Sequence, residues 1–197
     1  MHPGSTYLLL LLLLVPQSPN TIRQHYEAAE AKRAAGDLAA AEVEYTAILA
    51  EGYDRLGSIY SAEKKYQEAI KTLETAVHYQ PNSVELLVRL AIAYFEAEQY
   101  EAALKPLATA LSLDPNSVGA HHMMGKTYFM RGEFAKARSE LQTALKLTPN
   151  DYDLTYTLGL AYLKERNFDP AKQIYDRMIV QLGERPQLHI LIGRAYR

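Results

Sequence analysis

The chain has 197 residues, of which 22% are charged, and a formal net charge of −2, as is ordinary for a globular protein of one or two domains. This near-neutral balance gives no electrostatic reason to expect nucleic-acid binding. The absence of cysteine excludes disulfides, cysteine metal sites and thiol catalysis.

The N-terminus carries an apolar run from Tyr7 to Val15, which the helix-breaking segment PQSPN follows. The run is far shorter than the roughly 20 residues that a membrane-spanning helix needs, so no stable membrane span is predicted. Its length fits the core of a secretory signal, although no Lys or Arg precedes it and no small-residue cleavage site follows. We interpret residues 1–18 as a signal-peptide-like leader and expect export to the periplasm or the cell exterior. A disordered apolar tail on a cytoplasmic protein is the alternative.

Beyond the leader, the sequence repeats every 34 residues. A tyrosine, an aromatic residue six positions later, an alanine and a loop proline before Asn all recur at this spacing. The aligned segments are LGSIYSAEKKYQEA (56–69), LAIAYFEAEQYEAA (90–103), MGKTYFMRGEFAKA (124–137) and LGLAYLKERNFDPA (158–171). Within each unit apolar residues recur every three or four positions, the period of an α-helix. Each unit is therefore predicted to be two helices joined by a short turn, for example 118–130 and 134–147.

The predicted units are 21–52, 53–83, 84–117, 118–151 and 152–185, followed by the first helix of a truncated unit at 186–197. The first unit is degenerate, because Ala41 and Ala69 stand closer together than the equivalent alanines of the later units, such as Ala69 and Ala103. The missing residues belong to a connection, which leaves a turn predicted at 51–52 or a tilt of the helices there. Pro106 falls inside a second helix, where we expect a kink rather than a break.

Residues 125–127 read Gly-Lys-Thr, which are the last three residues of a phosphate-binding loop. Such a loop needs a glycine five positions before Gly125, where this chain has Ala120. The repeat offers another explanation, in which Gly125 is a small residue at a helix contact and Lys126 lies on a helix face. We predict no nucleotide site.

These units resemble the tetratricopeptide repeat (TPR), whose 34-residue pattern is W-x2-L-G-x2-Y…A-x3-F…P. The unit at 118–151 matches it with Met124, Gly125, Tyr128, Ala137, Leu141 and Pro149. The family's tryptophan is absent, and its place is taken by His25, Tyr53, Leu87, His121, Thr155 and His189. The resemblance covers residues 21–197. It implies an all-α fold, a right-handed superhelical solenoid of antiparallel helix pairs with about five units and a final half unit.

In the family, the first helices of the pairs line a concave groove that binds peptides. The corresponding residues here are largely apolar, with methionines and aromatic rings suited to protein recognition. We predict a peptide groove formed by Arg55, Val88, Arg89, Ile92, Phe95, His122, Met123, Lys126, Phe129, Met130, Tyr156, Thr157, Leu160, Leu163 and Lys164. Its basic residues favour a ligand that carries an acidic group beside apolar side chains. For Phe95 and Phe129, packing against a neighbouring helix is an equally good interpretation.

Family members that bind chaperone tails clamp a carboxylate with Lys and Asn at set places on three first helices. In this chain those places hold Asp54, Ser58, Arg89, Gly119 and Met123, or in the next window Val88, Ile92, Met123, Asp153 and Thr157. We therefore do not expect heat-shock-tail binding. No convergent catalytic residues are visible, and adjacent His121 and His122 point about 100° apart, so no enzyme activity, metal or cofactor is predicted.

The sequence thus predicts a non-catalytic scaffold that binds a partner's peptide segment in the groove. The alternative is the N-terminal interaction module of a longer chain that continues into an enzyme or receptor. Because the last predicted helix lacks its partner, self-association through it is a further expectation.

Overall fold

The computed structural model describes residues 21–183 and 186–196, and this part of the chain forms ten α-helices and no strand. The predicted leader lies outside it. None of the helices described is long and apolar enough to cross a membrane. The helices are α1 Thr21–Ala34, α2 Leu38–Ala62, α3 Tyr66–Tyr79, α4 Val84–Glu96, α5 Tyr100–Leu113, α6 Val118–Met130, α7 Phe134–Leu147, α8 Tyr152–Lys164, α9 Phe168–Leu182 and α10 Pro186–Ala195.

The chain is divided into two compact units, the first ending at Gly52 and the second beginning at Tyr53. Helix α2 nevertheless runs without interruption from Leu38 to Ala62, so the turn predicted at 51–52 is wrong. The residues that would have formed a loop are absent. Gly52, which has nothing within 4 Å of the place of its missing Cβ, lowers helix stability by only about 1 kcal/mol. Here the glycine, with no proline beside it, does not end the helix.

In the second unit, three-residue turns join the helices of each pair at 63–65, 97–99, 131–133 and 165–167. The middle residue of every turn is left-handed, with φ of 59° at Lys64, 59° at Glu98, 77° at Gly132 and 61° at Arg166. Glycine adopts this conformation without strain, whereas the Cβ atoms of Lys64, Glu98 and Arg166 make it strained at those three turns. The turn geometry thus repeats even where the sequence does not supply glycine.

Side-chain caps start three of the first helices. The hydroxyl oxygens of Ser83 and Ser117 accept hydrogen bonds from the backbone N–H groups of Leu86 and Ala120, each at 3.3 Å. The carboxylate of Asp151 accepts one from the backbone N–H of Leu154 at 3.0 Å. Each cap fixes where a first helix begins, and hence which of its side chains share a face.

Small residues let the two helices of a pair approach closely. A Cβ added to Gly125 would lie 2.7 Å from Leu141 Cγ, and one added to Gly57 would lie 2.6 Å from Leu73 Cγ. The repeated alanines of the second helices are fully buried. Gly193, which the repeat places in the same register, has no such neighbour within 4 Å. Helix α5 continues through the buried Pro106, which confirms that this proline does not break the helix.

Candidate functional site: the groove face

Helices α4, α6 and α8 lie side by side, since α4 contacts α6 and α6 contacts α8. All the predicted groove residues except Arg55, which belongs to α2, are on these three helices. We call the surface formed by these predicted residues of α4, α6 and α8 the groove face. The repeat makes equivalent positions on successive first helices neighbours, and this brings together residues that are one repeat apart in the sequence.

The apolar side chains of the groove face differ in exposure. Met130 is 50% exposed and Ile92 37%, whereas Thr157 is buried and its hydroxyl donates to the carbonyl oxygen of Asp153 at 2.8 Å. Thr157 is therefore a structural residue in this conformation. The half-buried members of the set are Val88, Phe95, Met123, Phe129, Tyr156, Leu160 and Leu163.

Two aromatic residues of this face pack against the helix that follows their own. The rings of Phe95 and Tyr100 meet edge-on with centroids 5.3 Å apart, and those of Phe129 and Phe134 do so at 5.4 Å. Edge-on contacts between aromatic rings stabilise the packing of two helices in addition to burying apolar surface. The packing interpretation of Phe95 and Phe129 therefore holds, and only the exposed part of each ring remains open to a ligand.

Arg89 is held by groups of its own chain. Its Nη2 lies 2.7 Å from Glu85 and its Nε 3.4 Å from the Oδ1 of Asp54, while Nη1 donates to the hydroxyl of Ser58 at 3.3 Å. The hydrogen bond to Glu85 is the main cause that raises the pKa of Arg89. Asp54 was not among the residues predicted for the groove.

Two basic side chains of α6 lie against the carboxylate of Asp153. Lys126 Nζ lies 3.3 Å and His122 Nε2 3.0 Å from Asp153 Oδ2. Burial of the His122 ring, with some help from the charge of Lys126, lowers the pKa of this histidine although Asp153 opposes the shift. Two carboxylates beside the groove face, Asp54 and Asp153, therefore lie against its basic side chains, and the preference for a ligand with an acidic group stays a prediction.

Asp54 and Asp153 also stand at two of the places where a carboxylate clamp has Lys or Asn. A carboxylate at these places would repel the terminal carboxylate of a chaperone tail, and the absence of heat-shock-tail binding stays a prediction.

The adjacent residues His121 and His122 of α6 contact different groups. His121 Nδ1 lies 2.7 Å from Glu140, and its Nε2 lies 3.0 Å from the carbonyl oxygen of Pro115, whereas His122 faces Asp153. Within residues 21–183 and 186–196, no three His, Asp or Glu side chains are grouped so as to hold a metal ion.

Paired helices of one repeated length, small residues at their contacts and neighbouring first helices with a common face define a TPR array. The tetratricopeptide repeat family model matches residues 60–126, 95–151 and 128–195, and the chain belongs to this family. Its fold is that of an all-α TPR solenoid.

Solved structures of similar fold include a tetratricopeptide repeat protein from Parabacteroides merdae ATCC 43184, 19% identical, with 89% of this chain and 72% of that chain covered and a TM-score of 0.68. MamA is 24% identical over 81% of this chain and 90% of its own, with a TM-score of 0.62. The second TPR domain of human RPAP3, in complex with an HSP70 peptide, is 24% identical over 60% and 97%, with a TM-score of 0.55. No curated protein was found to match the chain.

Proposed function

We propose that this protein is a non-catalytic interaction scaffold whose groove face binds a peptide segment of a partner. The observation that carries the proposal is the exposure of Ile92 and Met130 on neighbouring first helices, beside half-buried aromatic rings. Flexible methionine and partly exposed aromatic side chains adapt to apolar ligands and are enriched where proteins bind one another.

The similar structures support a peptide as the ligand. The RPAP3 domain was solved with an HSP70 peptide, and another RPAP3 domain of the same fold with an HSP90 peptide. At these identities the likeness concerns the fold, so the ligand of this chain must be argued from its own residues.

Those residues favour an apolar ligand over an acidic one. Arg89 and Lys126 already face Asp54 and Asp153, and a ligand carboxylate would have to compete with them. We therefore propose a segment that offers apolar side chains to Ile92 and Met130 and that tolerates either charge at its ends. The carboxylates beside this face, Asp54 and Asp153, pair with Arg89 and Lys126 rather than converging on one point, and the proposal is therefore non-catalytic.

A peptide selection tests this function. Random twelve-residue peptides displayed on phage would be selected on the whole chain, and the enriched peptides would be synthesised for titration. We expect peptides that lose at least tenfold in affinity for an Ile92→Glu/Met130→Glu variant, because a charge would replace each exposed apolar contact. The control is Leu113→Glu/Leu147→Glu, which alters two side chains of similar exposure, 42% and 39%, on second helices. If no peptide distinguishes the two variants, the groove face is not the binding surface.

A second candidate has a separate observation in its favour. Val180 is 82% exposed, Ile190 56% and Tyr196 47%, an unusual set of apolar side chains at the C-terminal end of the described chain. Exposed apolar side chains such as these suit either further repeats of a longer chain or a second copy of this one. Light scattering over a concentration series tests the second copy, since Val180→Glu/Ile190→Glu would abolish any dimer formed there.

Export is a further proposal, supported by the apolar run at residues 7–15. Fractionation of cells that express the chain with and without residues 1–18 tests it. Equal distribution of the two forms would contradict it.

A further inference from the structure

A cavity of about 530 Å³ lies between α7, α8 and α9. Its apolar wall includes Leu145, Leu158, Tyr162 and Ile174, and polar side chains complete the lining. Leu158 and Ile174 belong to the buried core, so the apolar part reaches inward from the surface. This volume is in the range of sites that enclose a small molecule or a large side chain.

The cavity is separate from the groove face. On α8 it is lined by Leu158 and Tyr162, whereas Leu160 belongs to the groove face. Leu160 is two residues from each of them, about 200° around an α-helix. The two surfaces therefore lie on opposite sides of α8, and a ligand of one does not touch the other.

A small side chain stands in the cavity lining where the repeat pattern has a large one. Thr155, in its lining, stands where the family has tryptophan, and its hydroxyl donates to the carbonyl oxygen of Asp151 in the turn before it. One repeat earlier, the places of Thr155 and Ile174 are taken by His121 and Glu140, whose side chains meet at 2.7 Å. In the repeat before that, the buried Leu87 occupies the place of Thr155.

The charge of the cavity is also particular to this repeat. Lys146 and Arg177 both line it and are exposed, and no carboxylate is among the lining residues described. Neither cation belongs to an ion pair of the described residues, whereas Lys172 of α9 is paired with Asp176. At the equivalent positions one repeat earlier stand the uncharged Ser112 and Thr143. Open space and unbalanced positive charge therefore occur together.

Two amides favour a peptide as the occupant. Gln142 and Gln181 line the cavity from α7 and α9, and the Nε2 of Gln142 donates to the hydroxyl of Tyr162 at 2.8 Å. An amide side chain offers a donor and an acceptor, the same pair that a peptide group presents.

We propose that this cavity is a second binding site, which takes a peptide segment with a bulky apolar side chain next to an Asp or Glu. The apolar side chain fills the space beside Thr155. The adjacent carboxylate lies between Lys146 and Arg177, where it gains two charge-assisted contacts.

The test uses random twelve-residue phage-displayed peptides selected on the whole chain, followed by fluorescence anisotropy of the enriched peptides after synthesis. We expect peptides with an aromatic or leucine residue beside an acidic one. Their affinity should fall at least tenfold for Thr155→Trp, which fills the cavity, and for Lys146→Glu/Arg177→Glu. It should be unchanged for His121→Trp, the same substitution one repeat earlier, and for the groove variant Ile92→Glu/Met130→Glu.

Lys146 and Arg177 are exposed, so their variant tests the site even if Thr155→Trp fails to fold. Failure to enrich such peptides, or equal binding to the charge-reversed variant, would overturn the proposal. Equally tight binding of N-acetyltryptophan alone would show a small-molecule site instead of a peptide site. Because the groove variant is measured in parallel, loss of either site is seen independently of the other.

Discussion

The ring of Tyr175 on α9 lies so close to the backbone of Gly159 on α8 that a Cβ built on Gly159 would be 2.4 Å from Tyr175 Cζ. Tyr175 is almost completely buried, and this burial raises the pKa of its hydroxyl. The ring cannot move away without opening the core. Glycine at position 159 is therefore required by packing, although it weakens an isolated helix by about 1 kcal/mol.

We predict that Gly159→Ala destabilises the protein by about 1–3 kcal/mol, the usual range for overpacking a buried contact. Urea unfolding followed by circular dichroism measures the change. Gly119→Ala is the matched control, because a Cβ there has only Val88 Cγ1 near it, at an ordinary 3.7 Å. Equal stability of the two variants would show that Tyr175 adjusts freely.

Replacing a left-handed turn residue by glycine is expected to stabilise the protein, in contrast to the loss of stability expected for Gly159→Ala. Glu98 has a φ of 59° in a turn where the next repeat has Gly132. Because this conformation strains every residue with a Cβ, we expect Glu98→Gly to stabilise the protein, by about 1 kcal/mol at most after the higher entropy of unfolded glycine is subtracted. Gly132→Ala should destabilise it by a similar amount. Thermal unfolding of both variants checks the pair, and a shift of the same sign in both would contradict the explanation.

His122 predicts sensitivity to acid. The folded state lowers its pKa below the ordinary 6.5, so the unfolded chain takes up a proton first as the pH falls. The free energy of unfolding therefore decreases below about pH 6.5. We expect His122→Gln to lose less stability than the unaltered chain between about pH 7.5 and 5.5, since it has no proton to gain. Parallel losses measured by urea unfolding at both pH values would contradict this assignment.

Tyr94 predicts sensitivity to alkali. Burial, and second the hydrogen bond to Glu74, raise its pKa from 10.0 to about 12. Above pH 10.0 the unfolded chain loses this proton while the folded chain keeps it, so stability falls until about pH 12. Tyr94→Phe should flatten the fall. Glu74→Gln should flatten it only in part, because burial is the larger cause, and unfolding measured from neutral pH upward separates the three chains.

The helix pairs could be predicted because their signals are redundant. Helical periodicity, the repeated alanines and the loop prolines all mark the same boundaries, so α6 and α7 have the bounds that the sequence predicts. The contact role of Gly125 also follows from the repeat, since a glycine inside a helix needs a reason and a neighbouring helix provides one.

The continuity of α2 could not be predicted from the sequence. Glycine is common both in turns and, at a modest cost, inside helices, and Gly52 has no proline beside it to decide between them. The difference between the two outcomes depends on about 1 kcal/mol of local propensity and on packing that periodicity does not reveal.

Charge pairing across helices was missed for another reason. The repeat period shows that Arg89 and Lys126 lie on the same face. Which carboxylates they contact depends on how far each side chain extends toward the neighbouring helix. Asp54 precedes Arg89 by slightly more than one repeat and Asp153 follows Lys126 by less than one, so neither pair lies at the repeat distance itself.

Thr155 shows the same limit of sequence analysis. The loss of the family's tryptophan is visible in the sequence, while the cavity depends on whether Leu145 and Ile174 close over the space that it leaves.

The main helix contacts of the second unit join only elements that are one or two positions apart in the chain, such as α4 with α5 and α6. Structure can therefore form without first bringing distant parts of the chain together, and the entropy of closing long loops is avoided. Chains of such low contact order fold on the order of microseconds to milliseconds. Folding can begin at any helix pair and spread outward, so a damaging substitution in one repeat slows or weakens its neighbours first and reaches distant repeats only through them.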